Sequence, residues 1–310
     1  MGMGHLFRMI NLYGALRQSR ADAILVLLGE HPPASEWLER LHIPFEVVAD
    51  QAGGQSGWEA ELAMRYKSKV WVNDRLQTDA DHAIRIKQLG LRLATFDDLG
   101  SGAALADIHV AALAGVRGEN PQGAKVLTGL KYLILTPEIA RYRRQRTECN
   151  SWVVSLGGSD THGVTVKVAQ WLSARQQPAT LILGPGFEHE EALEKVIGVG
   201  FSVKRSVPSL AAELAAHDLA ITGGGLTAFE AAATGLPTVT VANEKWEMAH
   251  CRHLQTLGCS VFAGPHENIN LSVLERPLDI AKMSMAALHA VDTDGVKRVC
   301  GEMMSLLNWG

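Results

Sequence analysis

The chain has 310 residues, of which 47% are hydrophobic and 20% charged, a composition typical of soluble globular proteins and unlike that of disordered chains. The formal net charge of −4, with 29 Lys+Arg dispersed among 33 Asp+Glu, argues against nucleic acid as a partner, because nucleic-acid binders normally carry a basic excess. The length predicts two domains of similar size and leaves the oligomeric state open.

No apolar stretch reaches the roughly 20 residues that a membrane-spanning helix needs, and the N-terminus shows no signal-peptide pattern. We therefore predict a cytoplasmic protein with reduced thiols and without an integral membrane segment. The cysteines form no CxxC pair and no spacing typical of a zinc site. They are Cys149, Cys251, Cys259 and Cys300.

Short β-branched and aliphatic runs alternate with helical patterns along the chain, which predicts βαβ units and parallel sheets with helices on both faces. In the first half the predicted strands are Ala23–Leu28, Phe45–Val48, Val70–Val72, Leu91–Phe96, Ile108–Ala112 and Lys125–Leu127. The predicted helices there include Leu6–Arg17 and Asp79–Leu89. Residues 1–137 are thus predicted to form a first Rossmann-like domain.

The second half repeats this alternation more clearly. Its predicted strands are Trp152–Leu156, Thr180–Leu183, Phe201–Val203, Leu219–Thr222, Thr238–Val241 and Ser260–Phe262. Its predicted helices are Gly163–Arg175, Glu188–Val196, Ser209–Ala216, Leu226–Thr234, Lys245–Leu257 and Leu271–His289. Residues 151–310 are predicted to form a second Rossmann-like domain. Residues 138–150 are charged, show no strand pattern and are predicted to be the linker, with the basic run 141–146 as a solvated face.

The predicted fold class is therefore α/β, with two doubly wound domains that face a cleft. In such folds ligands bind beyond the carboxyl ends of the strands, so motifs that directly follow a strand are the first candidates for a site.

The strongest local binding signal is segment 219–230, where a buried strand passes through three glycines directly into a helix. Glycines let a ligand approach the backbone, and a helix N-terminus offers free N–H groups to a phosphate. Glu230, one turn into the helix, can accept hydrogen bonds from ribose hydroxyls. A tight turn with a surface glutamate is the alternative. On the binding interpretation, the residues that contact the phosphate are expected to be Gly223, Gly224, Gly225, Leu226 and Thr227.

A second glycine turn, Gly157-Gly158-Ser159-Asp160, follows the first strand of the same domain. Ser159 can contact a phosphate or sugar oxygen, whereas Asp160 is predicted to cap the next helix, because Asp is among the best N-cap residues. A purely structural turn is an equally good interpretation of this segment.

The remaining candidates are weaker. Glycines precede a helix that bears His5, and a histidine there can act as a general base, although a poorly ordered terminus is the alternative. Asp74 and the pair Asp97-Asp98 end strands, so each is a candidate for a site or for loop capping. His250, Cys251 and His253 lie within one amphipathic helix and lack further ligands at a suitable spacing, so we predict no metal site there.

Taken in order, these motifs resemble the nucleotide-sugar hydrolase of pseudaminic acid biosynthesis and its relatives, the spore coat polysaccharide biosynthesis glycosyltransferases. The resemblance covers nearly the whole chain, and its colinear order is more specific than any single motif. The matching segments are Gly2–Arg8, Asp74, Phe96–Asp98, Gly129–Glu138, Gly157–Asp160, Gly223–Glu230, Gly235–Pro237, Asn243 and Val291–Val299.

The resemblance implies a fold similar to the GT-B glycosyltransferases, including the peptidoglycan N-acetylglucosamine transferase. It implies that the C-terminal domain binds the nucleotide diphosphate and that the N-terminal domain supplies catalytic and sugar contacts. Its implied catalytic residues are His5 as base, Asp74 and Asn243, and it implies sugar contacts from Gly4 and Arg8. The nucleotide residues that it implies are Gly157, Gly158, Ser159, Gly223, Gly224, Gly225, Leu226, Thr227 and Glu230. Neither a metal nor a cofactor is required in this picture.

The implied function is release of UDP from a UDP-linked deoxy-amino sugar, with water attacking the anomeric carbon. The alternatives are a glycosyltransferase that uses the same donor and a non-catalytic nucleotide-sugar-binding protein. An NAD enzyme is disfavoured because Gly223-Gly224-Gly225 lacks the G-x-G-x-x-G spacing.

Three features depart from the family pattern. The family has a β-strand before its G-x-G-H element, whereas this sequence starts at Met1, so the first strand of the N-terminal domain is expected to be missing. Leu76 stands where the hydrolases have tyrosine, and Asn243-Glu244 where the family has Asn-Gln.

Overall fold

The computed structural model describes residues 3–49, 57–205 and 207–307. The chain forms two compact units, one of Met1–Ile134 with Asp294–Gly310 and one of Leu135–Thr293. In chain order the strands are β1 (Leu25–Leu28), β2 (Phe45–Val48), β3 (Val70–Asn73), β4 (Arg92–Phe96), β5 (Ile108–Ala111), β6 (Lys125–Thr128), β7 (Trp152–Ser155), β8 (Ala179–Leu183), β9 (Phe201–Arg205), β10 (Leu219–Gly223), β11 (Thr238–Ala242) and β12 (Ser260–Pro265).

The helices are α1 (Met3–Gln18), α2 (Pro32–Arg40), α3 (Trp58–Arg65), α4 (Ala80–Gln88), α5 (Ala114–Arg117), α6 (Val164–Ser173), α7 (Glu190–Glu194), α8 (Leu210–Ala215), α9 (Leu226–Ala233), α10 (Glu247–Thr256), α11 (Ile280–Ala290) and α12 (Gly295–Leu307). Single 3-10 turns cover Ser101–Leu105, Leu130–Tyr132, Pro137–Arg141 and Leu271–Glu275. No helix in the described ranges combines the length and the apolar character needed to cross a membrane.

Each predicted strand is present with small shifts at its ends, and every strand pairing is parallel, as the alternation of strands and helices predicts. The single predicted helix Leu271–His289 is wrong in its first part. Pro277 cannot donate a helical hydrogen bond, and the chain makes a 3-10 turn before it. The helix α11 begins only after Asp279, whose carboxylate accepts the N–H of Lys282 at 3.0 Å.

The first unit contains two parallel sheets in its described part, β1–β2 and β3–β4–β5–β6. Helix α1 contributes to the cores of both. Its Leu6 packs in a cluster with Leu25 of β1, and its Leu12 packs in a second cluster with Phe96 of β4. The N-terminal end of α1 is thereby fixed relative to the ends of the strands in this unit.

The C-terminal helix α12 belongs to the first unit, which corrects the prediction that residues 151–310 form one domain. Its apolar face, with Val296, Val299 and Met303, packs in the same cluster as Leu12 and Phe96. Burial of this apolar stripe stabilises the packing, and nothing in the local sequence indicates which sheet it covers.

The predicted linker 138–150 packs on the second unit, and the prediction of a solvated basic face is wrong for Arg146, which is 1% exposed. Its guanidinium donates to backbone carbonyls near the C-terminal ends of α8 and α9, including Ala215 and Thr234. Arg143 likewise donates to Leu288 at the end of α11 at 2.6 Å. Carbonyls at helix C-termini lack partners within the helix and carry partial negative charge, so arginines bind them well. Burial lowers the pKa of Arg146 to about 10, with a contribution from Arg144.

The second unit has one sheet, which in the described residues has the order β12–β11–β10–β7–β8–β9. The chain starts at β7, builds outward to β9 on one side, and then returns to β10 on the other side of β7. The order therefore reverses between β7 and β10, and ligands of doubly wound sheets bind at the carboxyl ends of strands at such a point. Both predicted glycine turns follow these two strands.

Candidate active site

His5 and Asp74 form a hydrogen-bonded pair in the first unit. His5 lies in the first turn of α1, Asp74 directly follows β3, and His5 Nδ1 lies 2.7 Å from Asp74 Oδ1. Burial raises the pKa of Asp74, but the hydrogen bond from His5 and the charge of Arg8 outweigh it, and the net shift is downward. The ionised carboxylate can only accept, so Nδ1 carries a proton, and in the neutral imidazole Nε2 is then the nitrogen with the lone pair. This arrangement is suited to general-base chemistry.

The side chain of Arg8 joins this pair to the next strand end. Its Nε donates to Asp74 Oδ2 at 2.9 Å, and its terminal nitrogens contact Asp74 and Asp97, which follows β4. Burial lowers the pKa of Arg8, but the two carboxylates outweigh it and hold the pKa above its ordinary value. The guanidinium is thus committed to protein carboxylates, and contact of Arg8 or of exposed Gly4 with a sugar stays a prediction.

Sequence reasoning did not find the outer part of this network. Arg117 on α5 donates to Asp97 Oδ1 at 3.3 Å and, through Nε, to Glu119 Oε1 at 2.6 Å. Asp97 and Arg117 are 20 residues apart and belong to different βα units, so no local spacing could have indicated the pair. The neighbouring Asp98 is a loop cap: its Oδ1 accepts the N–H groups of Thr78 and Gly100, both at 2.9 Å.

In the second unit, a side chain of the turn after β7 accepts the first N–H groups of the helix that follows it. Asp160 accepts the N–H groups of Val164 at 2.8 Å and Thr165 at 2.7 Å, which confirms that it caps α6. Gly157 has a φ of 93°, a conformation that glycine adopts at no steric cost. Ser159 is exposed, with its hydroxyl 3.3 Å from that of Thr161. The binding roles of Gly157, Gly158 and Ser159 stay predictions.

The turn after β10 is open by comparison. Helix α9 begins after Gly225, and no side chain accepts hydrogen bonds at this N-cap position. The N–H groups of its first turn, which include those of Leu226 and Thr227, have no acceptor within the helix and concentrate positive potential there. This turn therefore offers the anion-binding geometry that the Gly-rich sequence predicts.

Glu230 lies on α9 and is half-buried, and its carboxylate has no hydrogen-bond or ion-pair partner among the residues that the structure describes. Burial, with a smaller contribution from the charge of Glu138, raises its pKa to about 7. An unpaired half-buried carboxylate has strong hydrogen-bond acceptors to offer to a ligand.

Asn243 follows β11 and is only 8% exposed. Its Nδ2 donates to the carbonyl of Leu156 at 3.1 Å, so the side chain ties the end of β11 to the end of β7. Its Oδ1 is buried and has no partner within the described part of the chain. The predicted contact of Asn243 with sugar or water stays a prediction.

Gly224 is held from behind by α10. Its N–H donates to Glu247 Oε2 at 3.1 Å, and its carbonyl lies 3.1 Å from His250 Nδ1. The Gly224 N–H is thus already bonded to the protein. Only the N–H groups of the residues that follow Gly224 in this turn stay available to an anion. The sequence did not indicate Glu247, because an acidic residue in the first turn of a helix is common on solvent-exposed surfaces.

His250 and Cys251 are buried in packing around Gly224, and the described residues contain no group of three His, Cys, Asp or Glu side chains placed to hold a metal ion.

No protein-family model matches the chain. An uncharacterised protein of Methanocaldococcus jannaschii is 26% identical over 261 residues, which cover 78% of this chain and 53% of that protein. The chain thus spans about half the length of that relative. The spore coat polysaccharide biosynthesis protein SpsG of Bacillus subtilis is 23% identical over 280 residues, covering 85% of this chain and 80% of SpsG. The chain is therefore a distant relative of SpsG.

Solved structures show the same fold. MurG of Acinetobacter baumannii is 14% identical and matches 97% of this chain and 96% of its own with a TM-score of 0.70. A UDP-N-acetylglucosamine 2-epimerase matches 99% and 94% at 13% identity and a TM-score of 0.63. The spinosyn rhamnosyltransferase SpnG, complexed with thymidine diphosphate, matches 97% and 96% at 15% identity and a TM-score of 0.65. The predicted GT-B-like fold of two Rossmann-like domains is confirmed.

Proposed function

We propose that this protein is a nucleotide-sugar hydrolase that releases UDP from a UDP-linked deoxy-amino sugar in surface polysaccharide or nonulosonic acid biosynthesis. The observation that carries the proposal is the His5–Asp74 pair, in which an ionised carboxylate orients the imidazole through its Nδ1. The open N-terminus of α9, the similarity to SpsG and the nucleotide-binding neighbours of the same fold support it.

The proposed mechanism assigns the proton transfer to the first unit and the stabilisation of the leaving group to the second. Nε2 of His5 takes a proton from water, the water oxygen forms a bond to the anomeric carbon, and the bond from that carbon to the diphosphate oxygen breaks. The electron pair leaves with UDP, whose negative charge is stabilised by the N–H groups of Gly225, Leu226 and Thr227. Asp74 keeps the proton on Nδ1 and stabilises the imidazolium that forms. In-line displacement inverts the configuration of the anomeric carbon.

Glu230 would accept hydrogen bonds from the ribose hydroxyls in this mechanism, and the buried Oδ1 of Asn243 would face the sugar or the attacking water. Both assignments rest on the resemblance to the hydrolase family. The acceptors on both side chains, which have no partner among the described residues, are consistent with it.

Incubation with UDP-sugars in the absence of an acceptor tests the proposal. We expect stoichiometric UDP release that depends on His5, and NMR of the freed sugar immediately after turnover should show the inverted anomer. Release of UDP only after addition of a second sugar or lipid-linked sugar would replace the hydrolase with a transferase. Binding of UDP-sugar without any turnover would favour the non-catalytic alternative.

One observation favours the glycosyltransferase alternative. Leu76 and Leu99, in the loops after β3 and β4, are 59% and 62% exposed and are held together by a backbone hydrogen bond of 2.8 Å. Leu76 lies two residues after Asp74, so this apolar pair is close in sequence to the carboxylate that orients the proposed base. Such a surface is suited to an acceptor with an apolar part, whereas water needs no such contact.

A further inference from the structure

Both peptide groups of Gly224 are bonded to helix α10 and not to solvent. The N–H donates to Glu247 Oε2 at 3.1 Å. The carbonyl can only accept, so the His250 Nδ1 that lies 3.1 Å from it carries the proton and donates. The orientation of this peptide, which precedes the open N-terminus of α9, is therefore set by two side chains of another helix.

The same carboxylate oxygen also accepts the N–H of Asn243 at 2.7 Å. One atom of Glu247 thus joins the turn after β10 to the turn after β11. The side chain is 7% exposed, so neither N–H has water as a ready replacement for it.

Close packing shows that the glycine-rich turn lies directly on α10. A Cβ placed on Gly224 would lie 2.6 Å from Cys251 Sγ and 2.8 Å from Glu247 Cβ. A Cβ placed on Gly225 would lie 3.3 Å from Glu247 Oε1. Gly224 is therefore required by its fit against α10, in addition to any approach of a ligand.

We propose that Glu247 is a positioning residue for the diphosphate site, because its carboxylate fixes the backbone of the turn before α9 and the backbone of Asn243 relative to each other. This inference rests on the proposed function for its ligand. Without the carboxylate, two buried N–H groups lose their acceptor, and the turn can rotate a peptide plane to find another. The first-turn N–H groups of α9 would then no longer point at one common position.

Glu247 acts through the backbone and does not touch the ligand. Its charge would repel a diphosphate at close range, and its Oε2 already accepts two backbone N–H groups of the protein. The expected effect of its removal is therefore weaker UDP binding, with the chemistry of His5 and Asp74 left intact.

Four variants separate positioning from other roles. Glu247→Gln keeps an oxygen that can accept both N–H groups, Glu247→Ala removes it, and Glu247→Asp withdraws it by one methylene. Glu275→Ala is the matched control, since this glutamate pairs with Arg175 on the surface of the same unit. UDP binding is measured by calorimetry well below the unfolding temperature of each protein, together with amide hydrogen exchange of peptides that contain Gly224 and Asn243.

We expect Glu247→Ala to weaken UDP binding about tenfold or more and to speed amide exchange at both positions. Glu247→Gln should stay within about threefold of the wild type, with slow exchange, because one acceptor atom suffices. Glu275→Ala should match the wild type in both measurements. If Glu247→Ala fails to fold, Glu247→Asp takes its place and should show the same losses to a smaller degree.

Two results would overturn the inference. One is wild-type UDP affinity in Glu247→Ala, and the other is an equal loss in Glu247→Gln, which would make the charge and not the position decisive. If the wild-type protein itself does not bind UDP, the proposed function fails, and hydrogen exchange still decides the role of Glu247. Fast amide exchange at Gly224 and Asn243 in Glu247→Ala, but not in the other variants, then supports the role of Glu247 in fixing these two backbone segments. Unchanged exchange in Glu247→Ala contradicts that role.

Discussion

The two units differ in whether the polar groups at the carboxyl ends of their strands already have hydrogen-bond partners within the protein. In the first unit, charged side chains satisfy one another, with His5 and Arg8 bound to Asp74 after β3. In the second unit, the backbone N–H groups at the start of α9, after Gly225, have no side-chain acceptor among the described residues. A side-chain network holds protons at defined atoms, whereas an uncapped helix end provides fixed positive potential for an anion.

The second unit contains its own internal contrast. Helix α6 begins with N–H groups that Asp160 already occupies, and α9 begins with N–H groups that no side chain in the described ranges caps. Both helices follow the central strands of the same sheet. A glycine turn before a helix is therefore a candidate for anion binding only when no side chain of the protein already accepts the N–H groups of the first turn of that helix. Variants of the first unit should therefore change turnover, and variants around α9 should change UDP binding.

The largest expected effect is that of His5→Ala. Loss of the imidazole removes the proposed base, so turnover should fall by about 10²–10⁴-fold or below detection while UDP affinity stays within about twofold. Steady-state UDP release and calorimetric titration with UDP measure the two quantities. Loss of UDP binding in this variant would place His5 in the nucleotide site. It would contradict the assignment of the chemistry to the first unit and of UDP binding to the second.

Asp74→Asn should reduce turnover nearly as strongly. The amide can donate as well as accept, so it no longer holds the proton on His5 Nδ1, and kcat should fall by about 10²-fold with little change in KM. An unchanged rate would contradict an orienting role for Asp74.

Glu230→Ala should affect the nucleotide and leave the chemistry intact. A lost hydrogen bond between a carboxylate and the ribose should weaken UDP binding by about tenfold. The matched ligand is 2′-deoxy-UDP: the wild type should discriminate against it, and the variant should bind UDP and 2′-deoxy-UDP equally. Retained discrimination would remove Glu230 from the ribose site.

The pKa of Glu230 also predicts how the stability of the ligand-free protein depends on pH. The pKa is raised to about 7 in the folded protein from its ordinary value of 4.5, so the folded state binds a proton that the unfolded state has released between these pH values. The free energy of unfolding should therefore fall from pH 4.5 to pH 7 through this group and level off above. In Glu230→Gln, chemical denaturation across this range should show a shallower fall than in the wild type; equal slopes would contradict the shift.

The smallest expected effect is that of Asp160→Ala. The loss of the side chain that accepts the N–H groups of Val164 and Thr165 in the first turn of α6 should lower the free energy of unfolding by about 1 kcal/mol, as measured by denaturant titration. UDP affinity should change by less than about twofold, since the α6 end is filled by protein. A large loss of UDP binding with unchanged stability would show that α6 takes part in the site after all.

Much of the fold follows from local patterns. The predicted strands, the turns at Gly157 and Gly225 and the cap at Asp160 depend on residues that are neighbours in sequence, and all are present in the structure. The apolar periodicity predicted one continuous helix over Leu271–His289 and missed the break at Pro277, although proline is itself a local signal. The position of α12 could not be predicted, because an amphipathic helix carries no record of which sheet it covers.

The site shows the same division. Sequence similarity indicated His5, Asp74 and Glu230, but their partners could not be inferred from spacing. His5 and Asp74 are 69 residues apart and meet only because α1 packs over the first unit with its N-terminal end at the end of β3. The role of Glu247 follows only from the packing of α10 directly against Gly224, which the sequence does not indicate.

By itself, the sequence determined that this protein has parallel α/β units with glycine turns after its strands, because periodicity and turn chemistry act over a few residues. The tertiary structure decided which charges pair, that Arg146 is buried at helix C-termini, and which helix end stays open. These outcomes depend on strand order and on packing between distant segments, where burial and the need to satisfy every buried polar group select one arrangement.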